Sequence, residues 1–381
     1  MTVTIRGLST LVPTTGLSQP EVAEVFAAQP GLTRLGQRLV STSFGVSGIE
    51  RRYTVIDELT FDGPVASEPE FFDRESGLLL DPGTRLRNDR YALEATKLYV
   101  GAGRAALDAV PDVAAKDVTH VITVSCTGFY APGPDFVVAR DLGLRPGVQR
   151  YHLGFMGCYA SLPALRLASQ LCEADPAAVV LVISVELCTL HLRTSNDPDT
   201  IVATSLFGDG AGAALVTARP PQDGERALQL DGFATRTTPR GEGDMAWKIG
   251  DHGFEMVLSN AVPSLIGEHV TGAIAPLLEA EPQLSAALAE GRAGEPIEHW
   301  AIHPGGRSIL DKVEATLGLT EAQLVPARET LRDYGNMSSA TVLFVLQRIL
   351  SDESAQDGDR VAAMAFGPGL TVESALLTVR A

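Results

Sequence analysis

Short runs of consecutive apolar residues, rich in β-branched side chains, recur at residues 120–124, 179–185, 211–216, 300–302 and 361–366. Few of them alternate strictly with polar residues, so the pattern predicts strands covered on both faces of a sheet. Between them, apolar positions recur at helical spacing over residues 91–110, 160–173, 254–278 and 338–350. Strands alternating with helices predict a layered α/β protein with helices on both sheet faces. Residues 217–226 (TARPPQDGER) break the pattern with two prolines, a glycine and mixed charge, which places a boundary between halves 1–217 and 226–381. On each side an apolar strand runs straight into a small polar or glycine-rich loop: Val121-Ile-Thr-Val-Ser-Cys-Thr-Gly in one, Trp300-Ala-Ile-His-Pro-Gly-Gly in the other. This predicts a duplicated architecture, although the residue match is too weak for a sequence repeat. Residues 283–296 read as a short helix and an exposed loop.

With 381 residues and 45% hydrophobic content, the chain can bury a substantial core, which excludes disordered and collagen-like classes. A formal net charge of −17 repels phosphate backbones and argues against nucleic acid as a partner. Four cysteines (Cys126, Cys158, Cys172, Cys188) are too few for a disulfide scaffold, and none forms a CxxC pair, so no structural metal is expected. The N-terminal residues lack the basic and apolar regions of a secretory signal. The most apolar stretch, residues 177–185, falls well short of the roughly 20 residues a membrane span needs. The expectation is a soluble, reduced, cytoplasmic protein without a membrane span.

Four segments have the makings of chemistry. Cys158 lies in Leu153-Gly-Phe-Met-Gly-Cys-Tyr-Ala-Ser, where glycines precede a helical pattern starting near Ala160. Such a turn sets a thiol near the free amides of a helix N-terminus, which favour the thiolate; a buried cysteine packing as a small hydrophobe is the alternative. His303, in Ile302-His-Pro-Gly-Gly-Arg, ends an apolar strand that Pro304 stops, a place where catalytic groups concentrate. His120 and His299 fit strand starts, His252 and His269 fit polar surface positions, and His191 stays open. Asn336, in Asp333-Tyr-Gly-Asn-Met-Ser-Ser, is on its own a helix N-cap; beside a cysteine and a histidine its amide can donate to a developing oxyanion. Gly367, Pro368 and Gly369, in Phe366-Gly-Pro-Gly-Leu, make a side-chain-poor loop able to approach a substrate.

Together GFMGCYA, IHPGGRSILDKVE, YGNMSSATVLF and FGPGLTVES resemble the active-site motifs of type III polyketide synthases, the chalcone synthase-like family of the thiolase superfamily. SCTGFYAPGPDF, DLGLRPGVQR and SLFGDGAGAALV are similar to further stretches, in the family's order over nearly the whole chain. The resemblance implies a thiolase-like five-layered αβαβα fold of two similar halves, normally a homodimer. It implies an acyltransferase that loads an acyl-CoA starter on Cys158, extends it by iterative decarboxylative condensation with malonyl-CoA and cyclises the product. His303 and Asn336 are then the partners of Cys158. Phe207 and Phe254 match the pocket phenylalanines between coenzyme A tunnel and cavity, their alternative being core packing. Coenzyme A thioesters are substrates, and no resident cofactor or metal is implied. The stretch Gly208-Asp-Gly-Ala-Gly does not fit the dinucleotide pattern.

The chain also departs from the family. Ala131 stands where plant members carry a methionine reaching the partner subunit's cavity, in a loop one residue shorter. The plant-type basic residues before Arg51-Arg52-Tyr53 have no clear counterparts, so Arg34, Arg38 and Arg307 become the candidates for the coenzyme A phosphates. SCTGFYAPG and VELCTLHLR look more like bacterial members, several of which make alkylpyrones or alkylresorcinols from fatty acyl starters, and a product of that kind is expected. The nearest rival is a ketoacyl-ACP synthase III, which performs one condensation. Its His-Gln-Ala-Asn and Gly-Asn-Thr-Ser motifs differ from His303-Pro-Gly-Gly and Gly335-Asn-Met-Ser here. A degradative thiolase needs a second cysteine near the C-terminus, and none follows Cys188. A non-catalytic scaffold on the same fold would not need all three of Cys158, His303 and Asn336.

Overall fold

The structure is a computed structural model and describes residues 2–60 and 68–381. Nine strands follow one another in the order His299–Ile302, Arg360–Gly367, Thr371–Arg380, Ala227–Thr237, Thr4–Leu11, Asp209–Thr217, Val179–Leu187, His120–Ser125 and Gln149–Gly154. Two sheets meet in this series at a short antiparallel junction, Thr4 opposite Gln229 and Ile5 opposite Leu228. Each sheet repeats one plan. Its opening strand pairs antiparallel with its last strand, which pairs antiparallel with Val179–Leu187 or Arg360–Gly367. That strand in turn pairs parallel with His120–Ser125 or His299–Ile302, the two strands that run into the matching loops.

The unbroken apolar runs follow from burial on both faces. In Val179–Leu187 every residue is buried. Val180 and Val182 join the core between the sheets, whereas Val179, Leu181, Ile183 and Val185 join the core beneath the outer helices. Two helices fill the middle: Ser161–Ala174, which begins just after Cys158, and Thr341–Ser351, which begins just after Asn336 and Met337. Each packs on strands of both sheets. Outside, Thr84–Asp108 covers the first sheet and Val262–Leu278 the second. Helix, sheet, helix, sheet, helix is the five-layered thiolase-like arrangement, built as α/β halves that meet across residues 218–226.

One expected element is corrected. Helix was expected from Phe254 to Leu278, but Phe254 lies in the strand Gly253–Leu258, paired antiparallel with Met245–Gly250. Gly253 takes φ +105°, and the helix starts only at Val262, where Pro263 occupies the first turn. The hairpin's consequence is functional, because it closes the cavity described next. No helix among the described residues is long and apolar enough to cross a membrane.

Candidate active site

The Cys158 turn is built by glycine and by contact with the second half. The chain leaves the strand Gln149–Gly154, takes positive φ at Phe155 (60°) and Gly157 (90°), and enters the helix Ser161–Ala174. A Cβ on Gly157 would lie 2.4 Å from Pro368 Cδ, and one on Gly367 would lie 2.5 Å from the Tyr159 ring and 3.4 Å from the Cys158 nitrogen. The Gly367-Pro368-Gly369 loop therefore presses on the backbone that carries the thiol. Ser161 Oγ donates to the Ser339 carbonyl at 2.6 Å and fastens the start of this helix to the Asn336 segment.

His303 continues the strand His299–Ile302, with its N–H donating to Met364 O at 2.8 Å and its carbonyl accepting from Gly305 at 3.0 Å. The ring is buried and neither nitrogen has a partner among the described residues. Asn336 is fixed at both backbone groups. Its N–H donates to Leu206 O, its carbonyl accepts from Gly208 N–H, both at 2.9 Å, and a parallel bridge joins it to Phe207. Its Oδ1 accepts from Ser338 N–H at 2.9 Å, and its Nδ2 donates to Gly305 O at 3.2 Å, two residues beyond His303. The Asn336 and Ser338 side chains lie near the Cys158 thiol and favour its ionised form. Three loops distant in sequence thus converge on one buried point.

Burial dominates the electrostatics there. Desolvation pushes the Cys158 thiol up to about 12, against the neighbouring Ser338 and Asn336 side chains, which favour its ionisation. Desolvation likewise pushes His303 down to about 3. Burial therefore favours the neutral form of both groups and opposes the thiolate. Glu186 adds to this by its negative charge. It is fully buried, raised by burial, and accepts from Ser125 Oγ, Cys126 N–H, Thr127 Oγ1 and Ser339 Oγ.

A small cavity of about 30 Å³ lies beside the thiol. Cys158 packs with Cys188, Ala203 and Phe207 at its edge. Phe207 and Phe254 both line it, and Trp247 and Met256 from the hairpin complete an apolar wall. His191, left open by the sequence, stacks on Phe254 at 4.2 Å and 10°. Its Nδ1 accepts from Phe254 N–H at 3.0 Å while Nε2 donates to Thr127 O at 2.8 Å, and burial pushes it down to about 3. It is a neutral imidazole of fixed tautomer.

Other candidates lie elsewhere. Ala131 is exposed and does not line this chain's cavity. Arg34 and Arg38 sit exposed on the helix Arg34–Val46. Arg307 opens the helix Arg307–Leu317, with Asp311 at 3.8 Å, on the rim of a different cleft. The sequence reading passed over Glu186, Ser338 and Trp247. For Glu186 a signal existed: a lone carboxylate inside the apolar run Val179–Leu187. Among the described residues no group of three or more His, Cys, Asp and Glu side chains is placed to hold a metal.

Models of the family "Chalcone and stilbene synthases" match residues 4–220 with their N-terminal domain and residues 229–380 with their C-terminal domain. A bisdemethoxycurcumin synthase from Oryza sativa subsp. japonica is 36% identical over 339 residues, covering 87% of this chain and 80% of that protein. Among solved structures, PKS-I from the brown alga Ectocarpus siliculosus is similar with TM-score 0.87 and 26% identity, covering 99% of this chain and 98% of that one. The 1,3,6,8-tetrahydroxynaphthalene synthase of Streptomyces coelicolor A3(2), a bacterial type III polyketide synthase, is similar with TM-score 0.82 and 26% identity over 99% of each chain.

Proposed function

The chain belongs to the chalcone and stilbene synthase family, acyltransferase-type enzymes known as type III polyketide synthases, and from that premise we propose that it condenses malonyl-CoA iteratively onto an acyl-CoA starter held on Cys158. The observation that carries the reading is the convergence of Cys158, Asn336 and the His303 loop at the edge of an apolar cavity.

The chemistry explains the geometry. An acyl-CoA thioester brings a polarisable carbonyl into the pocket. The Cys158 thiol gives its proton to His303 and its sulfur attacks that carbonyl, with coenzyme A leaving as the thiol after protonation. Malonyl-CoA then loses carbon dioxide, and the electrons of the broken C–C bond pass to an enolate whose oxygen needs donors. His303 Nε2–H and the free amide proton of Asn336 supply them, each worth about 3 kcal/mol in a water-poor site. The enolate carbon attacks the acyl-cysteine, and repetition lengthens the chain within the cavity. The aromatic and aliphatic walls, Phe207, Trp247, Phe254 and Met256 among them, match an apolar chain in chemistry. We therefore assign an alkylpyrone- or alkylresorcinol-like product, made from coenzyme A thioesters without a resident cofactor. Arg38 and Arg307 remain the candidates for the coenzyme A phosphates.

A second copy of the chain is the natural partner. The strand Gln149–Gly154 is the outermost of its sheet with four exposed residues, and Phe129, Phe136 and Tyr151 are exposed beside it and Ala131. An open edge with aromatic neighbours invites pairing.

The test is release of labelled carbon dioxide from malonyl-CoA together with single-turnover acylation by a panel of acyl-CoAs. Asn336→Ala is expected to slow decarboxylation by about 100-fold or more, while Cys158 still acylates; Cys158→Ala loses acylation. Equal loss of both half-reactions in a folded Asn336→Ala protein refutes the division of roles.

A further inference from the structure

Arg52 is 1% exposed, in the strand Arg51–Thr54, whose partner strand sets Leu17 opposite it. A guanidinium so deeply buried demands a reason. Its Nη1 donates to the carbonyls of Thr204 and Phe207, both at 2.7 Å. These carbonyls close the helix Pro198–Leu206, where a cation meets the negative end of the helix dipole. Nε and Nη2 have no partner among the described residues. Asp209, which exerts an opposite charge on Arg52, spends its carboxylate on Thr189 N–H, Thr189 Oγ1 and Val55 N–H instead. The cation is thus spent on backbone carbonyls rather than on an ion pair.

What it grips is the Phe207–Asn336 bridge. A Cβ on Gly335 would lie 2.9 Å from Arg52 Cγ and 3.0 Å from Cδ, and one on Gly208 would lie 3.5 Å from Arg52 Cβ. The stem therefore lies against the residues just before Asn336 and just after Phe207, while the fork holds Phe207 O. Gly335, at φ +70°, leaves room for that stem where a larger residue would push it away. We propose that Arg52 is a positioning residue for the Asn336 amide: by fixing the Thr204–Phe207 carbonyls and packing beneath Gly335, it sets where Nδ2 points at the reacting centre. Burial lowers its pKa to about 10, so it stays cationic at neutral pH.

This inference rests on the polyketide reading, and its test separates the two. Arg52→Met keeps the apolar stem and removes the donor; Arg52→Lys keeps the charge, but its ammonium falls one bond short of the Nη1 position that meets both carbonyls. Both half-reactions are measured per folded active site. The expected result is loss of malonyl-CoA decarboxylation by up to about 100-fold in Arg52→Met, as for a misplaced reactive group, with Cys158 acylation nearly unchanged and Arg52→Lys intermediate. In an Asn336→Ala background Arg52→Met is expected to add little, because it acts through that amide. A general structural role would lower both half-reactions together and add to Asn336→Ala, and either result overturns the proposal. Should Arg52→Met fail to fold, Arg52→Lys carries the same comparison. Should the wild-type protein release no carbon dioxide, the polyketide reading fails. A crystal structure of Arg52→Lys then decides, a shifted Phe207–Asn336 bridge supporting the assignment and an unmoved Asn336 refuting it.

Discussion

Gly157→Ala tests whether the Cys158 turn depends on the second half of the chain. Two separate costs are written into the structure. A side chain at φ +90° costs roughly 1–2 kcal/mol of backbone strain. The new Cβ also lies 2.4 Å from Pro368 Cδ and 3.0 Å from Cγ, an overlap of the kind that costs about 1–3 kcal/mol to relieve. Together they remove about 2–5 kcal/mol from a folding margin of roughly 5–15 kcal/mol. If the turn gives way instead, Cys158 moves, and a displacement near 1 Å lowers rate about 100-fold. Pro368→Ala removes both overlapping ring atoms, so the double variant should regain the overlap share and keep the strain share. Urea unfolding read alongside single-turnover acylation of Cys158 measures both. A Gly157→Ala protein as stable and active as wild type refutes the reasoning. So does complete rescue by Pro368→Ala, which would leave the positive φ without cost.

Two further outcomes follow from burial. Iodoacetamide is expected to label Cys158 first of the four cysteines: burial raises its thiol and that of Cys172 alike, but Cys158 lies beside the cavity with Ser338 and Asn336 favouring its ionised form, whereas Cys172 is fully buried in the core; peptide mapping that found Cys172 or Cys188 labelled first would reject this. His191 sits at about 3 in the folded protein against an ordinary 6.5, so the unfolded chain binds a proton that the folded one refuses, and the stability present above pH 6.5 is lost on acidification towards 3. By pH 5 the loss is about 2 kcal/mol, and His191→Gln should lose that much less between pH 7 and 5 in urea titrations; parallel curves for the two proteins would refute it.

What the sequence disclosed and what it withheld divide along a physical line. The runs at residues 120–124, 179–185 and 361–366 were legible because burial on both faces leaves few polar positions to interrupt them. The strands Thr4–Leu11 and Ala227–Thr237 were not read, since Arg6, Ser9, Gln229 and Asp231 interrupt their apolar pattern. The Phe254 error has the same origin: a hairpin followed at once by a helix blends two periods, and Gly253 alone marks the break.

The site shows a parallel division. Cys158, His303 and Asn336 stand in loops whose glycines and prolines exist to shape a turn, so the turn announces the residue. Glu186, Ser338 and Arg52 act from inside elements, where a polar side chain looks like an irregularity in a core until its partners are known. Those partners come from remote segments: Glu186 meets Thr127 and Ser339, and Arg52 meets Thr204 and Phe207. A loop position can be read locally because its constraint is local. A buried cation or carboxylate is explained only by the carbonyls and hydroxyls that the fold brings to it. The polar residues inside the apolar runs of this chain are therefore where the residues that tune or hold the site should be sought, whereas the glycine-rich loops point to those proposed to react.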